Sequence, residues 1–294
     1  MKFAAIDIGT NATRLLIGEV DLNSPNGLIR KHLYLRIPLR LGIEVFDTGY
    51  ISDKKLVHFT KAMEAFKLIS ETYEVKDFRV CATSAMREAK NADAVKKHIE
   101  KEVGIEMEII SGEEEAKIIL STFALLSEDD NANYVVIDVG GGSTEISVFE
   151  QGKRVNFASF NIGTLRLLKK KVAKNCRAEL KEWIKENIDN NQKYKVYATG
   201  GNINKSQKIL NGDSLKPSSL KKIKGLYKDL EPLSVKQRIN KYNLRQDRAD
   251  TIVPALEIYI YISKLLKAKK MFIPKIGLSD GMIYNMYLNY SENN

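Results

Sequence analysis

Two short segments of this sequence bring a carboxylate to the end of an apolar run and follow it with glycine. Residues 3–11 read Phe-Ala-Ala-Ile-Asp7-Ile-Gly9-Thr10-Asn11, and residues 134–145 read Tyr-Val-Val-Ile-Asp138-Val-Gly140-Gly141-Gly142-Ser143-Thr144-Glu145. A buried strand that ends in Asp and turns on glycine exposes peptide N–H groups beside a potential metal ligand. Such N–H groups form an anion-binding concavity, so the chemistry is capture of phosphate with a divalent cation. Each segment leads into a second strand-like run, 14–20 and 146–149. The two aspartates stand 131 residues apart, the length of a domain. The triple glycine could also serve as a flexible hairpin turn, but that would not require an Asp at a strand end in both copies.

Three further constellations carry chemistry. Glu145 follows the second glycine run closely and would lie beside whatever that loop holds. Glu113, Glu114 and Glu115 follow Ser111-Gly112, which has the form of a helix-opening capping box. The helix dipole favours acidic residues there. Neighbouring helical residues diverge by about 100°, so one carboxylate can cap, one can face solvent and one can face a cleft as a general base. Residues 82–88, Ala-Thr-Ser84-Ala-Met-Arg87-Glu, follow an apolar run, which places hydroxyls and an arginine at a strand end. Arg87 could grip phosphate with its planar fork, or form a surface ion pair with Glu88 or Glu113. His32, His58 and His98 share no ligand spacing, and no Walker loop, nucleophile elbow or G-x-G-x-x-G fingerprint occurs.

These residues need strands and helices to hold them. Strand patterns cover both Asp-Gly hairpins, a basic stretch from Ile29 to Leu41, residues 78–82, Ile105 to Ile110, Lys195 to Thr199 and Met271 to Ile273. Helical spacing covers Asp53 to Tyr73 with Asp53 as cap, and Asn91 to Val103 with Gly104 as stop. It continues through Ser111 to Leu126, Leu165 to Val172 and Ala178 to Ile188. Lys216 to Leu230 carries Pro217 in its first turn, and Asp250 to Leu266 and a closing helix near Ser279 follow. A double-glycine turn, Gly200-Gly201, follows the strand ending at Thr199. Alternation of strands and helices makes the class α/β. The polar run Ser127 to Asn133 is the expected boundary between lobes 1–128 and 129–294, with the last helix open to packing back on the first. Duplicate lobes of this kind mark the actin-like (ASKHA, ribonuclease-H-like) fold with an interlobe cleft.

Forty-seven Lys and Arg against 37 Asp and Glu give +10, which favours anionic partners without naming them. Cys81 and Cys176 are too few for a disulfide framework or cysteine metal site. The chain enters a strand directly after Met1-Lys2, and its apolar runs fall short of the roughly 18–20 residues of a membrane span. A cytoplasmic protein with no membrane association is the expectation. No aromatic-basic motif supports specific nucleic-acid binding.

Four motifs occurring in order resemble the exopolyphosphatase/guanosine pentaphosphate phosphohydrolase (Ppx/GppA) family. They are Asp7-Ile-Gly-Thr-Asn-Ala-Thr-Arg14, Ala82-Thr-Ser-Ala-Met-Arg87-Glu-Ala-Lys-Asn91, Ile110-Ser-Gly-Glu-Glu-Glu115-Ala and Ile137-Asp138-Val-Gly-Gly-Gly-Ser-Thr-Glu145. The likeness continues through Ala198-Thr-Gly200-Gly201-Asn and Arg248-Ala-Asp250 to Gly277-Leu-Ser-Asp-Gly281. It implies Mg²⁺-dependent hydrolysis of a terminal phosphoanhydride, on inorganic polyphosphate or the guanosine alarmone pppGpp. Glu115 then corresponds to the base that activates water and Glu145 to a second catalytic glutamate. Asp7, Asp138 and Glu145 become metal-associated. Gly9, Thr10 and Asn11, Gly140 to Thr144, Gly200 and Gly201, with Ser84 and Arg87, become phosphate contacts.

The sequence also departs from the family. It lacks the C-terminal helical region, resembling an HD-type domain, of longer members, so short chains or a nucleotide are the expected substrates. Asn202-Ile-Asn204 is more polar than the family's threonine-rich run, and a homodimer is open as the assembly. Two other readings stay open: an ATP-dependent kinase or ATPase of the same superfold, and a non-catalytic alarmone-binding protein. Glu115 and Glu145 favour water as acceptor.

Overall fold

A computed structural model of the chain describes residues 1–22, 29–123, 132–189, 191–212 and 216–292. Most of the polar segment expected at the lobe boundary lies outside the described residues. The chain divides into two units, residues 1–128 with 276–294, and residues 129–275.

The first unit opens with β1 (Phe3–Ile8), β2 (Thr13–Val20) and β3 (Ile29–Ile37), an antiparallel meander, followed by α1 (Leu41–Thr48) and α2 (Asp53–Thr72). Then come β4 (Asp77–Ala82), α3 (Ser84–Glu88), α4 (Ala92–Val103), β5 (Glu108–Ile109) and α5 (Gly112–Ser121). The sheet order is β3-β2-β1-β4-β5, with β4 parallel to β1. Every residue of β1 is buried, which fits a central strand covered on both faces.

Several boundaries differ from the sequence expectations for local reasons. Ser52, not Asp53, caps α2 by accepting from the Lys55 amide. Asn91 precedes α4 without a side-chain cap, because its amide bonds both the N–H and the C=O of Ile51. The strand expected over Ile105 to Ile110 is only two residues long. The stretch Ile29 to Leu41 does continue the sheet, as β3, and helix α1, absent from the sequence expectations, starts at its last residue.

The second unit repeats the plan with β6 (Tyr134–Val139), β7 (Thr144–Glu150) and β8 (Lys153–Phe160), then α6 (Thr164–Leu168) and α7 (Cys176–Asn187). It continues with β9 (Lys195–Thr199), α8 (Gly201–Asn211), β10 (Ser218–Ser219), α9 (Leu220–Leu230), α10 (Val235–Tyr242), α11 (Gln246–Ala249), α12 (Ile252–Leu265) and β11 (Lys270–Met271). The sheet order is β8-β7-β6-β9, with β9 parallel to β6 as β4 is to β1. Helix α9 begins after Ser219, not at Pro217, because Ser218 and Ser219 are extended and pair with β11. The apolar core of this unit gathers Val135, Ile137, Leu180, Ile203, Leu256 and Tyr259.

Helix α13 (Leu278–Glu292) returns to the first unit. Its Asp280 pairs with Lys31 of β3 at 2.6 Å, and Gly281 sits against the Ile118 carbonyl of α5. Among the described residues no helix is long and apolar enough to cross a membrane.

Candidate functional site

The register of the two hairpins sets the chemistry at their ends. Asp7 of β1 lies directly opposite Arg14 of β2, and Asp138 of β6 lies directly opposite Glu145 of β7. Residues directly opposite in an antiparallel pair share one face of the sheet. Arg14 and Glu145 are therefore the same position of the repeat, carrying opposite charge. In the first unit the Arg14 guanidinium donates to the Asp7 carboxylate, neutralising a side chain whose residue is only 6% exposed. In the second unit two carboxylates face each other. Glu145 is 5% exposed and accepts from Ser159 of β8 at 2.8 Å.

The Asp138 carboxylate belongs to a buried cluster that the sequence reading did not include. The Tyr259 hydroxyl of α12 accepts from the Val139 amide at 3.2 Å and donates to the Thr199 carbonyl. It thereby ties the ends of β6 and β9 together. Burial pushes this phenol well above its ordinary range, and the charges of Asp138 and Glu145 push it further. Gly200 follows with φ +117°, a conformation side chains rarely adopt, and a Cβ there would stand 3.0 Å from the Val139 carbonyl. Tyr259→Phe would leave a buried donor and a buried acceptor unpaired. The expected loss is about 1–3 kcal/mol in urea denaturation, and an unchanged midpoint would show the clamp to be idle.

Both glycine turns have the same backbone form. The Gly9 amide donates to Ala12 and the Gly140 amide to Ser143, at 3.1 and 3.0 Å. Their carbonyls are held from one side by the start of the helix that follows the third strand. Gly42 and Arg40 donate to Thr10 and Asn11 in the first unit. Thr164 donates to Gly140, and Leu165 and Arg166 to Gly141, in the second. The amides of Gly141, Gly142 and Ser143 have no acceptor among the described residues. Neither Gly42 nor residues 163–166 stood out in the sequence, because the motif supplies only the loop and not what backs it.

The three glutamates of α5 diverge. Ser111 caps the helix through the Glu114 amide, Glu113 pairs with Lys117, and Glu114 lies 3.7 Å from Arg79. Glu115 turns to Arg87, with Nη1 to Oε2 at 3.2 Å, and the same Nη1 donates to the Ile110 carbonyl at 2.8 Å. Arg87 is thus fixed by α5 and its preceding residues, not by Glu88 or Glu113. Ser84, at the start of α3, donates to Glu88 at 3.0 Å and is buried. Gly201 opens α8, and the Arg248 guanidinium rests against it. The unexpectedly polar Asn202 accepts from that guanidinium at 3.3 Å, which gives the departure a packing role.

Within the first unit the structure joins Asp7 to Arg14 and Arg87 to Glu115. Within the second it joins Asp138, Glu145 and the Gly200 turn. A family model described as the Ppx/GppA phosphatase family matches residues 33–290. The chain belongs to the Ppx/GppA family. It is 26% identical over 303 residues to a guanosine-5'-triphosphate,3'-diphosphate pyrophosphatase of Pseudoalteromonas translucida, covering 97% of this chain and 59% of that protein. It is 31% identical over 207 residues to a bifunctional 3-dehydroquinate synthase/phosphatase of Fusobacterium nucleatum, covering 65% of this chain and 31% of that protein. The chain therefore spans less than two thirds of the length of either relative. Among solved Ppx/GppA-type structures, an exopolyphosphatase from Cytophaga hutchinsonii superposes with a TM-score of 0.82 at 21% identity, over 97% of each chain. That likeness establishes the shared α/β fold.

Proposed function

We propose that this Ppx/GppA chain is a Mg²⁺-dependent phosphohydrolase releasing the terminal phosphate of short inorganic polyphosphate or of pppGpp. The observation that carries the reading is the inequality of the two hairpins. One copy places an arginine opposite its aspartate, and the other places a buried glutamate there and adds the outward amides of a triple-glycine loop. Relatives named as a guanosine polyphosphate pyrophosphatase and an exopolyphosphatase support the substrate class.

Mg²⁺ fits the donor set. Asp138 and Glu145 offer hard oxygen ligands on one sheet face, and among the described residues no cluster of three or more His, Cys, Asp or Glu forms a cage. Magnesium takes one or two carboxylates and keeps its remaining positions for water and phosphate oxygens. When bound, the ion would neutralise charge on the phosphates.

The residues have separable tasks. The amides of Gly141 to Ser143 bind phosphate oxygens in the second unit, and the loop of Gly9, Thr10 and Asn11 does so in the first, whereas Thr144 is fully buried and spends its hydroxyl on the Ile162 carbonyl. Arg87 binds the terminal phosphate with its fork, and in doing so gives up its hold on Glu115. The freed carboxylate accepts a proton from water as the water oxygen bonds to phosphorus. The bridging P–O bond breaks, yielding orthophosphate and a substrate one phosphate shorter. A loose transition state of this kind needs positioning and charge neutralisation more than covalent help.

Initial rates of phosphate release with Mg²⁺ on tripolyphosphate, long polyphosphate, pppGpp and ATP test the reading. Release without an added acceptor excludes a kinase, and inertness on all four substrates overturns the proposal. Glu145→Gln is expected to raise the Mg²⁺ concentration for half-maximal rate by about tenfold or more, since even outer-sphere changes cost that much. An unaltered Mg²⁺ titration would remove Glu145 from the metal site.

A further inference from the structure

We infer that Arg166 is a positioning residue for the triple-glycine loop, holding its carbonyls back so that its amides face phosphate. The inference rests on the reading of that loop as a phosphate site. Arg166 is 8% exposed on α6, and its Nε donates to the Gly142 carbonyl at 2.8 Å. The amides of residues 164–166 take the carbonyls of Gly140 and Gly141 at 2.8–3.2 Å. All three glycine carbonyls are therefore drawn to one side. Gly163 makes the approach possible, because a Cβ there would stand 2.5 Å from the backbone of Gly141 and Gly142.

The consequence follows from peptide geometry. In a trans peptide the C=O of one residue and the N–H of the next point in opposite directions. Pinning the carbonyls of Gly140, Gly141 and Gly142 turns the amides of Gly141, Gly142 and Ser143 the other way. Three successive glycines have the greatest conformational freedom of any tripeptide. Unheld, the loop would also visit forms that present carbonyl oxygens, which repel an anion. The exchange also serves α6, whose first amides find acceptors in the loop although its N-cap, Gly163, has no side chain.

The first unit gives independent support. Its loop, of different sequence, is held by the start of the helix after its third strand, with Gly42 and Arg40 donating to Thr10 and Asn11 at 3.0 and 3.1 Å. Gly42 allows the contact as Gly163 does, since a Cβ there would stand 2.2 Å from Thr10. The brace is thus a feature of the repeat. The copy with the most pliant loop adds a buried guanidinium, an arrangement that proteins otherwise avoid.

The test uses the whole chain and pyrophosphate as probe, followed through the backbone amide resonances of Gly141, Gly142 and Ser143. Arg166→Met keeps the shape and removes the donor, whereas Arg166→Gln keeps a nitrogen donor at the ε position and removes the charge. In the wild type the three resonances should move on titration. Arg166→Met should weaken that binding by about tenfold or more, since small displacements of binding groups cost that order. Arg166→Gln should restore most of it. Equal binding by wild type and folded Arg166→Met overturns the positioning role while the moving resonances keep the phosphate loop. Equal weakness in Arg166→Gln and Arg166→Met also overturns it, because the Nε bond would then not be what matters. Wild-type resonances that stay still remove the phosphate-loop reading itself. If Arg166→Met does not fold, Arg166→Lys takes its place with the same outcomes, since it keeps the charge and has carbon, not nitrogen, at the ε position.

Discussion

Glu115→Gln is expected to slow phosphate release by about 10²–10⁴-fold, the range that a positioned general base supplies. The substitution keeps size and hydrogen bonding while removing the proton acceptor. Its oxygen can still accept from Arg87, now at 3.2 Å from Oε2, so the α3–α5 contact should survive. Melting temperature and KM should stay close to wild type, placing the loss in kcat. Glu113→Gln and Glu114→Gln are the controls, because Glu113 pairs with Lys117 in solvent and Glu114 stands near Arg79. A Glu115→Gln enzyme with more than a tenth of wild-type kcat would remove this carboxylate from the proton transfer. Equal losses for all three would indicate a general role for acidic charge in the first turn.

Gly281→Ala is the substitution with the largest expected effect on stability. A Cβ at this position would stand 1.9 Å from the Ile118 carbonyl oxygen and 2.6 Å from its carbon. Both are backbone atoms, so relief requires α13 and α5 to separate. Overpacking a tight contact typically costs about 1–3 kcal/mol and more when backbone must move. The melting temperature should fall by about 3–10 °C on that scale. Because α5 carries Glu115, the folded fraction should also lose activity, and a shift in kcat at temperatures well below the melt would reveal it. A change of under a degree would mean that the helices part without penalty.

The hairpins, their aspartates and glycines were legible because a strand ending in Asp-x-Gly leaves a local signature. So was the divergence of Glu113, Glu114 and Glu115, which follows from helix geometry alone. The partner of each carboxylate was not legible. Arg14 and Glu145 occupy one position of the repeat, and aligning the copies residue by residue would have exposed the exchange of charge. Ser159, Tyr259 and Arg166 act across strand and helix contacts far apart in sequence, where no local pattern reports them. Helix α1 was not anticipated and the start of α9 was misread, because short apolar or Pro-containing stretches take their form from what they pack against.

The chain order of the first unit bears on its biosynthesis. Its sheet and α5 are made before the second unit, yet the helix that packs on α5 at Gly281 is translated only after the whole of that unit. At about 5–20 residues per second, residues 129–275 occupy the ribosome for about 7–30 s before that helix begins to appear. The second unit is continuous and can finish folding in that interval, whereas the first waits with the face beneath α13 uncovered. Completion therefore runs opposite to synthesis. A nascent chain stalled before Ile276 would carry a finished triple-glycine loop while the helix bearing Glu115 still lacked its support.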